Sequence, residues 1–517
     1  MKKFLTLLLG VTLMTGLFAG CTTQNPAEPP KTSETAPETT KEEEEKTPET
    51  TDENKDTEGW AAIGTEAEPV QVKIVIKDVL PDEEDVLLME QVIEEKMAAR
   101  GQYIDLVIAE PPAGSYASAM PLAYRGGEVD ADIVYFQGGD LPITQEGLLL
   151  DLTDYIANST YVKEIMEPAG VARIENYPYL LWLAPARVSV PVIRKDWTEQ
   201  LTTYDALIAD PTIDNYYAFF KEMKDTGLAT YALTADGGTS RWDSVFNQAF
   251  GVTSTVIKDA DGNFVFAKST DAEKDKLAWY AKLYEEGLID PDYLTNSWDV
   301  AEQKFYEGNV GIYVGTNGAT VKIYNDKMVS VNGDGAELVV LPPAKGVGNG
   351  FAAVDTTKEP RGFGINADSA NPDAAFAFLD FMASPEGRMI DKLGIEGVHY
   401  EIDGGKIVFT ENFPNWWSRV WETTVGFEPT HELASPLYPQ AAVDSLTMAN
   451  DYYVEDQNIL MPEELVAVYD GMDSLYLEIS TDIITGNASV DSFDDFKTQW
   501  VAMGADAFTP YFEDALN

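Results

Sequence analysis

Strand and helix patterns alternate through the first foldable stretch of the chain, and that alternation restricts the fold more than any other feature. Val72-Lys73-Ile74-Val75-Ile76 alternates polar and branched apolar positions, the period of a strand. From about Glu83 onward, Val86, Met89, Ile93 and Met97 recur at helical spacing, with Gly101 as the stop. Residues 103–108 predict a second strand, 115–125 a second helix, and 131–136 a third strand that runs into Gln137-Gly138-Gly139-Asp140. Successive parallel strands need a crossover, and a helix supplies it. The expectation is therefore an α/β protein whose parallel sheet is covered by helices on both faces. In such sheets ligands sit beyond the carboxyl ends of the strands, which is where residues 137–140 fall.

A second αβ set follows from about Thr198 to Val340. Residues 216–224 and 272–286 read as helices and 310–314 as a strand. After Pro342-Pro343 a Gly-rich loop leads to Gly362-Phe363-Gly364-Ile365, then to a helix over 374–382 with Asn371-Pro372-Asp373 at its start. The final hundred residues read as mainly helical, and no internal repeat is present. Single cores stop growing at roughly 250–300 residues, so this chain is expected to divide into two or more lobes.

The N-terminus is of another kind. Lys2 and Lys3 precede a mostly apolar run over residues 4–19, and small Ala19 and Gly20 lead to Cys21, the single cysteine of 517 residues. A run this short with a charged front reads as a secretory signal over 1–20, not a spanning helix. No disulfide can form from one cysteine. No other apolar run near 18 residues occurs, so no second span is expected. Residues 22–58 hold 12 acids and 4 lysines, a charge of −8, with almost nothing apolar. Such a stretch cannot bury enough surface to offset its ordering entropy, and residues 21–66 are expected to form a disordered acidic tether. As a coil it reaches on the order of 35–40 Å.

The formal charge is −53. Taking away the signal's two lysines and the tether's −8 leaves −47 on the body, which argues against a nucleic-acid partner and against direct contact with anionic lipid headgroups. The excess is spread through the body, as expected for a charge that keeps a surface protein soluble.

Several segments resemble known families. Leu17-Phe18-Ala19-Gly20-Cys21 resembles the lipobox of bacterial lipoproteins, with Phe18 where Leu is commoner. The resemblance implies that Cys21 is lipidated, becomes the mature N-terminus, and anchors the protein on the extracellular face of the cell membrane. The body is similar to the extracellular solute-binding proteins of ABC importers, in the maltose-binding-like family 1 and its Gram-positive lipoprotein subgroup. Asp132-Ile133-Val134 through Gly147-Leu148-Leu149 to Leu152-Thr153-Asp154-Tyr155-Ile156 resembles that family's strand, ligand loop and following segment. Val192-Ile193-Arg194-Lys195-Asp196-Trp197 resembles its return strand. Tyr284 through Pro291 and Phe305-Tyr306-Glu307-Gly308-Asn309-Val310-Gly311-Ile312 resemble two further segments. Gly364-Ile365-Asn366, Ser384-Pro385-Glu386-Gly387, Gly394-Ile395-Glu396-Gly397-Val398-His399-Tyr400 and Asp491-Ser492-Phe493-Asp494-Asp495-Phe496 complete the set, over about residues 68–515.

The resemblance implies a two-lobed, class II periplasmic-binding-protein-like fold with discontinuous lobes joined by hinge crossings. The boundaries it suggests are 67–187 plus 346–405 for lobe I and 188–345 plus 406–517 for lobe II, with crossings near 184–191, 341–350 and 404–413. It implies a monomer that captures a carbohydrate, an oligosaccharide above all, and delivers it to an ABC permease, with no cofactor and no metal. The ligand-binding candidates on matching positions are Gln137 and Asp140 on the first ligand loop, and Trp182 before the first crossing. Arg241, Trp242, Tyr313, Thr316 and Asn317 follow on the second lobe. Arg361, Phe363, Trp416 and Trp417 complete them, near Trp421. Aromatic faces would cover the apolar faces of a sugar, and polar groups its hydroxyl rim. A tryptophan is more often core than platform, and Trp279 and Trp500 sit on helical stripes as core candidates. If Trp416 and Trp417 share a helix, one of them must face out. Arg241 has a salt bridge with Asp243 or another acid as its structural alternative, and Asp140 a turn-capping role.

Two competing functions stand beside the receptor: a glycoside-acting enzyme, and a ligand sensor for a membrane signalling partner. His399 and His431 are the only histidines, a Cys–His pair is impossible in the body, and 88 acids are too many for a catalytic carboxylate pair to stand out. Asp259-Ala260-Asp261-Gly262-Asn263 echoes a calcium loop, but its glycine comes too early. A hairpin turn between 256–257 and 264–266 is the better expectation. Gly346-Val347-Gly348-Asn349-Gly350 lacks a Lys-Ser/Thr and reads as a plain loop.

Overall fold

The computed structural model describes residues 62–183, 186–357, 361–421 and 427–516. The signal, Cys21 and nearly all of the expected tether lie outside the described residues.

Strands β1 (Val70–Val75), β2 (Ile104–Ile108) and β3 (Ile133–Phe136) pair in parallel, with Val70 opposite Ile104 and Ile74 opposite Ile133. The helix Glu84–Ala98 crosses between β1 and β2 and buries Val86, Met89, Ile93 and Met97, the stripe predicted from sequence. It also finishes the sheet edge. Glu90 Oε1 accepts from Ile108 N and Glu94 Oε1 from Leu106 N, both at 2.8 Å, so edge strand β2 has backbone donors satisfied by a helix instead of exposed. Burial raises the Glu90 carboxyl above its ordinary pKa.

The chain then builds a second sheet from β4 (Ser189–Arg194) and β5 (Tyr231–Leu233). A hairpin of β6 (Val256–Lys258) and β7 (Phe264–Phe266) follows, and β8 (Val310–Thr316) and β9 (Leu338–Val340) complete the second sheet in the order β5-β8-β4-β9. The turn from β6 to β7 is the expected one: Asp259 Oδ1 accepts from Asp261 N and Asn263 N at 2.9 Å. The second sheet is buried on both faces because its side chains alternate. Ile193, Ile312 and Val314 enter one cluster with Trp242, Tyr280 and Trp500, while Val190, Val192, Tyr313 and Val340 enter another with Phe305 and Phe351. Trp500 is core, as expected from its stripe, and Trp279 packs on the edge of the same cluster.

The return to the first sheet is β10 (Gly362–Ile365), antiparallel to β3 with Gly362 opposite Phe136. The all-parallel expectation is corrected here: the order is β10-β3-β1-β2, and its antiparallel edge comes from far along the chain. A small sheet of β11 (Tyr400–Asp403), β12 (Lys406–Phe409) and β13 (Glu432–Leu433) follows. The last helices, Gln440–Asp451, Val466–Thr485, Ser492–Ala502 and Thr509–Leu516, match the helical ending read from sequence.

Core membership moves two of the three expected crossings. Leu183 belongs to the first core and Ala186 to the second-sheet cluster. The second was expected over 341–350. Those residues stay with the second sheet, where Leu341 and Ala344 are core and Val347 N donates to Ala249 O at 2.9 Å. Phe351 and Val354 are still second-sheet core, so the chain leaves after Val354 and re-enters the first core at Phe363. The third was expected over 404–413, but Gly404 and Gly405 are the turn of the β11–β12 hairpin. Trp416, Val420 and Trp421 then pack into the first core, and the passage follows only after Leu437. Each core is thus entered more than once by the chain. Polar contacts between the two include Asn176 Nδ2 donating to Thr356 Oγ1 at 3.1 Å and Asn450 Nδ2 to Glu167 Oε2 at 3.5 Å, and Ala169 of the helix Pro168–Asn176 packs into the second-sheet cluster.

Candidate functional site

On the first sheet the chain turns sharply after β3. Gly138 and Gly139 have φ of 87° and 75°, the left-handed region that glycine enters without strain. A Cβ on Gly139 would also meet Pro121 Cγ at 2.6 Å. This turn leaves Gln137 half-buried at the strand's carboxyl end and folds Asp140 inward. Asp140 Oδ2 accepts from Tyr177 Oη at 2.5 Å, and Tyr177 Oη lies 2.6 Å from Thr144 Oγ1. Asp140 is buried and holds its own loop, so its structural role prevails over a ligand-facing one. Tyr177 is raised above its ordinary pKa by burial first and by Asp140 second.

An aromatic floor lies beneath this end of the sheet. Trp182 packs on Tyr135 at 5.5 Å, on Trp421 at 6.2 Å and on Phe363 at 6.3 Å between ring centroids. Phe363 and Trp421 are fully enclosed, which corrects the assignment of Phe363 as a ligand contact. Its place on β10 between Tyr135 and Trp182 makes it core. Trp182 is buried in the same core. Arg361, half-buried, precedes β10.

The second sheet presents a matching loop. After β5 the chain runs through Asp236-Gly237-Gly238-Thr239 into the helix Ser240–Phe250. Arg241 donates to both Asp236 oxygens at 2.6 and 2.7 Å and to Val314 O at 3.0 Å, over the Tyr313 ring at 5.4 Å. Burial works against its charge, but the Asp236 pairing outweighs that and holds its pKa above the ordinary value. The acid foreseen for Arg241 is thus Asp236, not Asp243.

Trp242 is 0% exposed, and its Nε1 donates to Thr234 O at 2.8 Å. With Tyr293 at 4.9 Å and Tyr280 at 5.7 Å it is a core residue, and its assignment as a ligand platform is corrected. Tyr313 is corrected likewise: it is enclosed between Phe305 at 5.8 Å and Tyr324 at 5.2 Å. Thr316 is half-buried at the end of β8. Asn317, next along, is a clamp on the first passage, donating to Ala186 O at 3.1 Å and accepting from Val188 N at 3.2 Å.

Beside the 236–240 loop lies a cavity of about 540 Å³. Its wall carries an ionic network with no sequence signal beyond ordinary i,i+3 spacing. Lys276 Nζ lies 2.8 Å from Asp243 Oδ1, 3.0 Å from Glu273 Oε2 and 2.7 Å from Asn247 Oδ1. Tyr280 Oη donates to Asp243 at 3.1 Å and Tyr476 Oη to Glu273 at 2.6 Å. Lys268 pairs with Asp473 on the same wall. Asp456 accepts from Thr255 N at 2.6 Å and Thr255 Oγ1 at 2.7 Å, and burial raises its pKa.

Trp416 and Trp417 sit on an irregular segment after a short 3₁₀ turn, not on a helix. Trp416 is buried, with Nε1 donating to Asp391 O at 2.9 Å, while Trp417 is exposed, though the shared helix on which that expectation rested is absent. Asp391 was missed in the sequence. It is fully buried and accepts from the backbone N–H of Arg419 and Val420 at 2.9 Å and of Trp421 at 3.1 Å. His399 was noted only within its motif, and the structure explains that motif. A Cβ on Gly394, whose φ is 77°, would meet the His399 ring at 2.6 Å. His399 Nδ1 accepts from Ile395 N at 3.0 Å and Nε2 lies 3.3 Å from Asp85. Burial lowers the pKa of this imidazole, against the opposing pull of Asp85.

Polar groups thus follow the carboxyl ends of β3 at Gln137, of β5 at Asp236 and of β8 at Asn317, the placement expected for a ligand site. Among the described residues no helix is long and apolar enough to cross a membrane.

Comparison with known proteins agrees with this architecture. Lipoprotein LipO of Bacillus subtilis is 22% identical over 355 residues, covering 60% of this chain and 66% of its own, just under two thirds. The polygalacturonan/rhamnogalacturonan-binding protein YtcQ of the same organism is 24% identical over 357 residues, covering 63% of this chain and 67% of its own. The crystal structure of the N-glycan transport solute binding protein NgtS from Streptococcus pneumoniae superposes with a TM-score of 0.60 at 16% identity, over 87% of this chain and 99% of that one. Such neighbours are two-lobed binding proteins of class II, and the fold of this chain is theirs. A family model described as bacterial extracellular solute-binding protein matches residues 83–389, more than half of the chain. By that match, this protein belongs to the bacterial extracellular solute-binding protein family.

Proposed function

We propose that this protein is a lipid-anchored extracellular receptor that captures a carbohydrate between its two lobes and hands it to an ABC permease. The observation that carries the reading is that two polar loops, residues 137–140 and 236–239, each follow the carboxyl end of a strand in one of two separate sheets. A ligand that touches both loops stabilises the closed state, and a ligand that touches one shifts nothing. Two relatives named for the glycans they bind or transport support a carbohydrate as that ligand. The first core's residues up to 183 and from 361 to 437 form lobe I in this reading, and the second sheet with residues 438–516 forms lobe II. The family and its structural neighbours are binding proteins, and the receptor performs no chemistry on what it holds.

Capture that must later release calls for about −8 kcal/mol, a micromolar dissociation constant. At a hundredfold excess over that constant the native state gains about 2.7 kcal/mol. For a body of this size the melting temperature rises by about 3 °C. A thermal-shift screen across mono- and oligosaccharides, with polyamines and peptides as controls, is expected to find such a rise with sugars alone. A rise with peptides alone, or shortened sugar products after incubation, overturns the receptor reading. The anchor has its own test. Cys21→Ser is expected to shift the protein from the membrane fraction to the medium, and a variant that stays with membranes overturns the acyl anchor.

A further inference from the structure

A pocket of about 570 Å³ opens on the first lobe between the start of the helix Glu84–Ala98 and the segment after the β11–β12 hairpin. Its residues fall into three chemical sets. Trp417 supplies an aromatic face and is 41% exposed. Asn412, Asn415 and Arg419 supply N–H donors, and Glu83, Glu84 and Asp85 supply carboxylate acceptors. The pocket lies at the ligand end of the first sheet, because that helix follows the carboxyl end of β1, and β1 is parallel to β3, which ends at Gln137.

Arg419 is the unusual member. It is 5% exposed, yet among the described residues no carboxylate lies within ion-pair distance of its guanidinium. Its Nε has no hydrogen-bond partner, and its one side-chain bond is from Nη1 to Trp417 O at 3.0 Å. The guanidinium lies over both neighbouring indoles, 4.4 Å from the Trp416 centroid and 4.9 Å from that of Trp417. The Asp391 carboxylate bonds to the Arg419 backbone N–H at 2.9 Å, so this position is fixed from below. Burying an arginine with donors unmet is costly unless something else meets them.

We propose that this pocket is a subsite for a neutral hexose unit of the captured glycan, stacked on Trp417 and held through vicinal hydroxyls. A sugar hydroxyl both donates and accepts. Neighbouring hydroxyls therefore accept from Arg419 and the asparagines while donating to Glu83 and Glu84. Asp85 already faces the His399 imidazole at 3.3 Å. A uronate in the same place would bring its own carboxylate up to three others against one guanidinium, so the subsite selects neutral sugars over acidic ones. The inference rests on the carbohydrate reading above.

The test uses the full-length mature protein on an array of neutral and galacturonate-containing oligosaccharides, from disaccharides to octasaccharides. The unmodified protein is expected to bind neutral members. Trp417→Ala is expected to weaken that binding about tenfold, and Trp417→Phe to recover most of it, because a ring is what the sugar face needs. Both variants should keep the parent's fold, since Trp417 is 41% exposed and the bond from Arg419 Nη1 goes to its backbone O, which both variants retain. Binding within twofold of the parent in Trp417→Ala overturns the subsite alone, as does a parent that binds only galacturonates. A parent that binds no glycan overturns the carbohydrate reading itself, and the subsite with it.

Discussion

Trp242→Ala is expected to lower the unfolding free energy of the second lobe by about 3–5 kcal/mol. The indole is completely enclosed, sits 4.9 Å from Tyr293 and 5.7 Å from Tyr280, and spends its only polar atom on Thr234 O. Truncation leaves a cavity the size of an indole among rings held by their own hydrogen bonds, such as Tyr280 on Asp243, so the gap cannot close by small shifts. It also strips Thr234 O of a donor. A platform residue would behave in the opposite way, with unchanged melting and weaker ligand binding. Urea denaturation decides between the two: a midpoint that barely moves returns Trp242 to the cleft.

The second large effect lies in the ion network beside it. Lys276 and Glu273 are 1% and 0% exposed, and Lys276 is the one cation between Glu273 and Asp243 among the described residues. Lys276→Met removes that cation and leaves two carboxylates facing each other in low dielectric, a loss expected at about 3–5 kcal/mol near neutral pH. The sign with pH follows from the groups themselves. Burial already raises Glu273 above its ordinary value, and the lysine pulls the other way. Without the lysine, folded Glu273 is raised further, so the variant's deficit grows as pH rises above about 4.5 and shrinks below it. In the parent, Lys276 itself is raised above 10.5: burial lowers it, and Asp243 and Glu273 more than compensate. Its contribution is therefore complete below pH 10.5 and is lost as pH climbs through the folded value. Thermal melts of parent and variant between pH 4 and pH 8 measure the difference, and a deficit that is flat across that range overturns the assignment of Glu273 as the stranded charge.

Residues on regular elements were the legible ones. Val86, Met89, Ile93 and Met97 were read as one buried stripe and form it, and the hairpin around Asp259 was distinguished from a calcium loop by the place of one glycine. The candidate ligand residues were less legible. Gln137 falls on the loop after β3 and Arg241 in the first turn of the helix after β5, but Trp242, one residue beyond Arg241, points into the core. On a helix, adjacent residues differ by about a third of a turn, so a match in sequence cannot say which of two neighbours faces the cleft. Arg419 and Asp391 were missed because neither carries a local pattern. Asp391 matters only because the segment 419–421 returns to it across a hairpin.

What the sequence by itself determined is local and periodic: the strand-helix order, the buried stripes, the sharp glycine turn after β3, and the contrast between a polar N-terminal stretch and an aromatic-rich body. These depend on neighbours within a few residues, where backbone geometry and side-chain period act directly. The tertiary structure alone decided that β10 runs antiparallel to β3, that the crossings lie after Val354 and Leu437, and that Trp242 and Phe363 are core while Trp417 is not. Those outcomes depend on which distant surfaces exclude water from each other, and such burial is a property of the assembled chain, written in no single stretch of it.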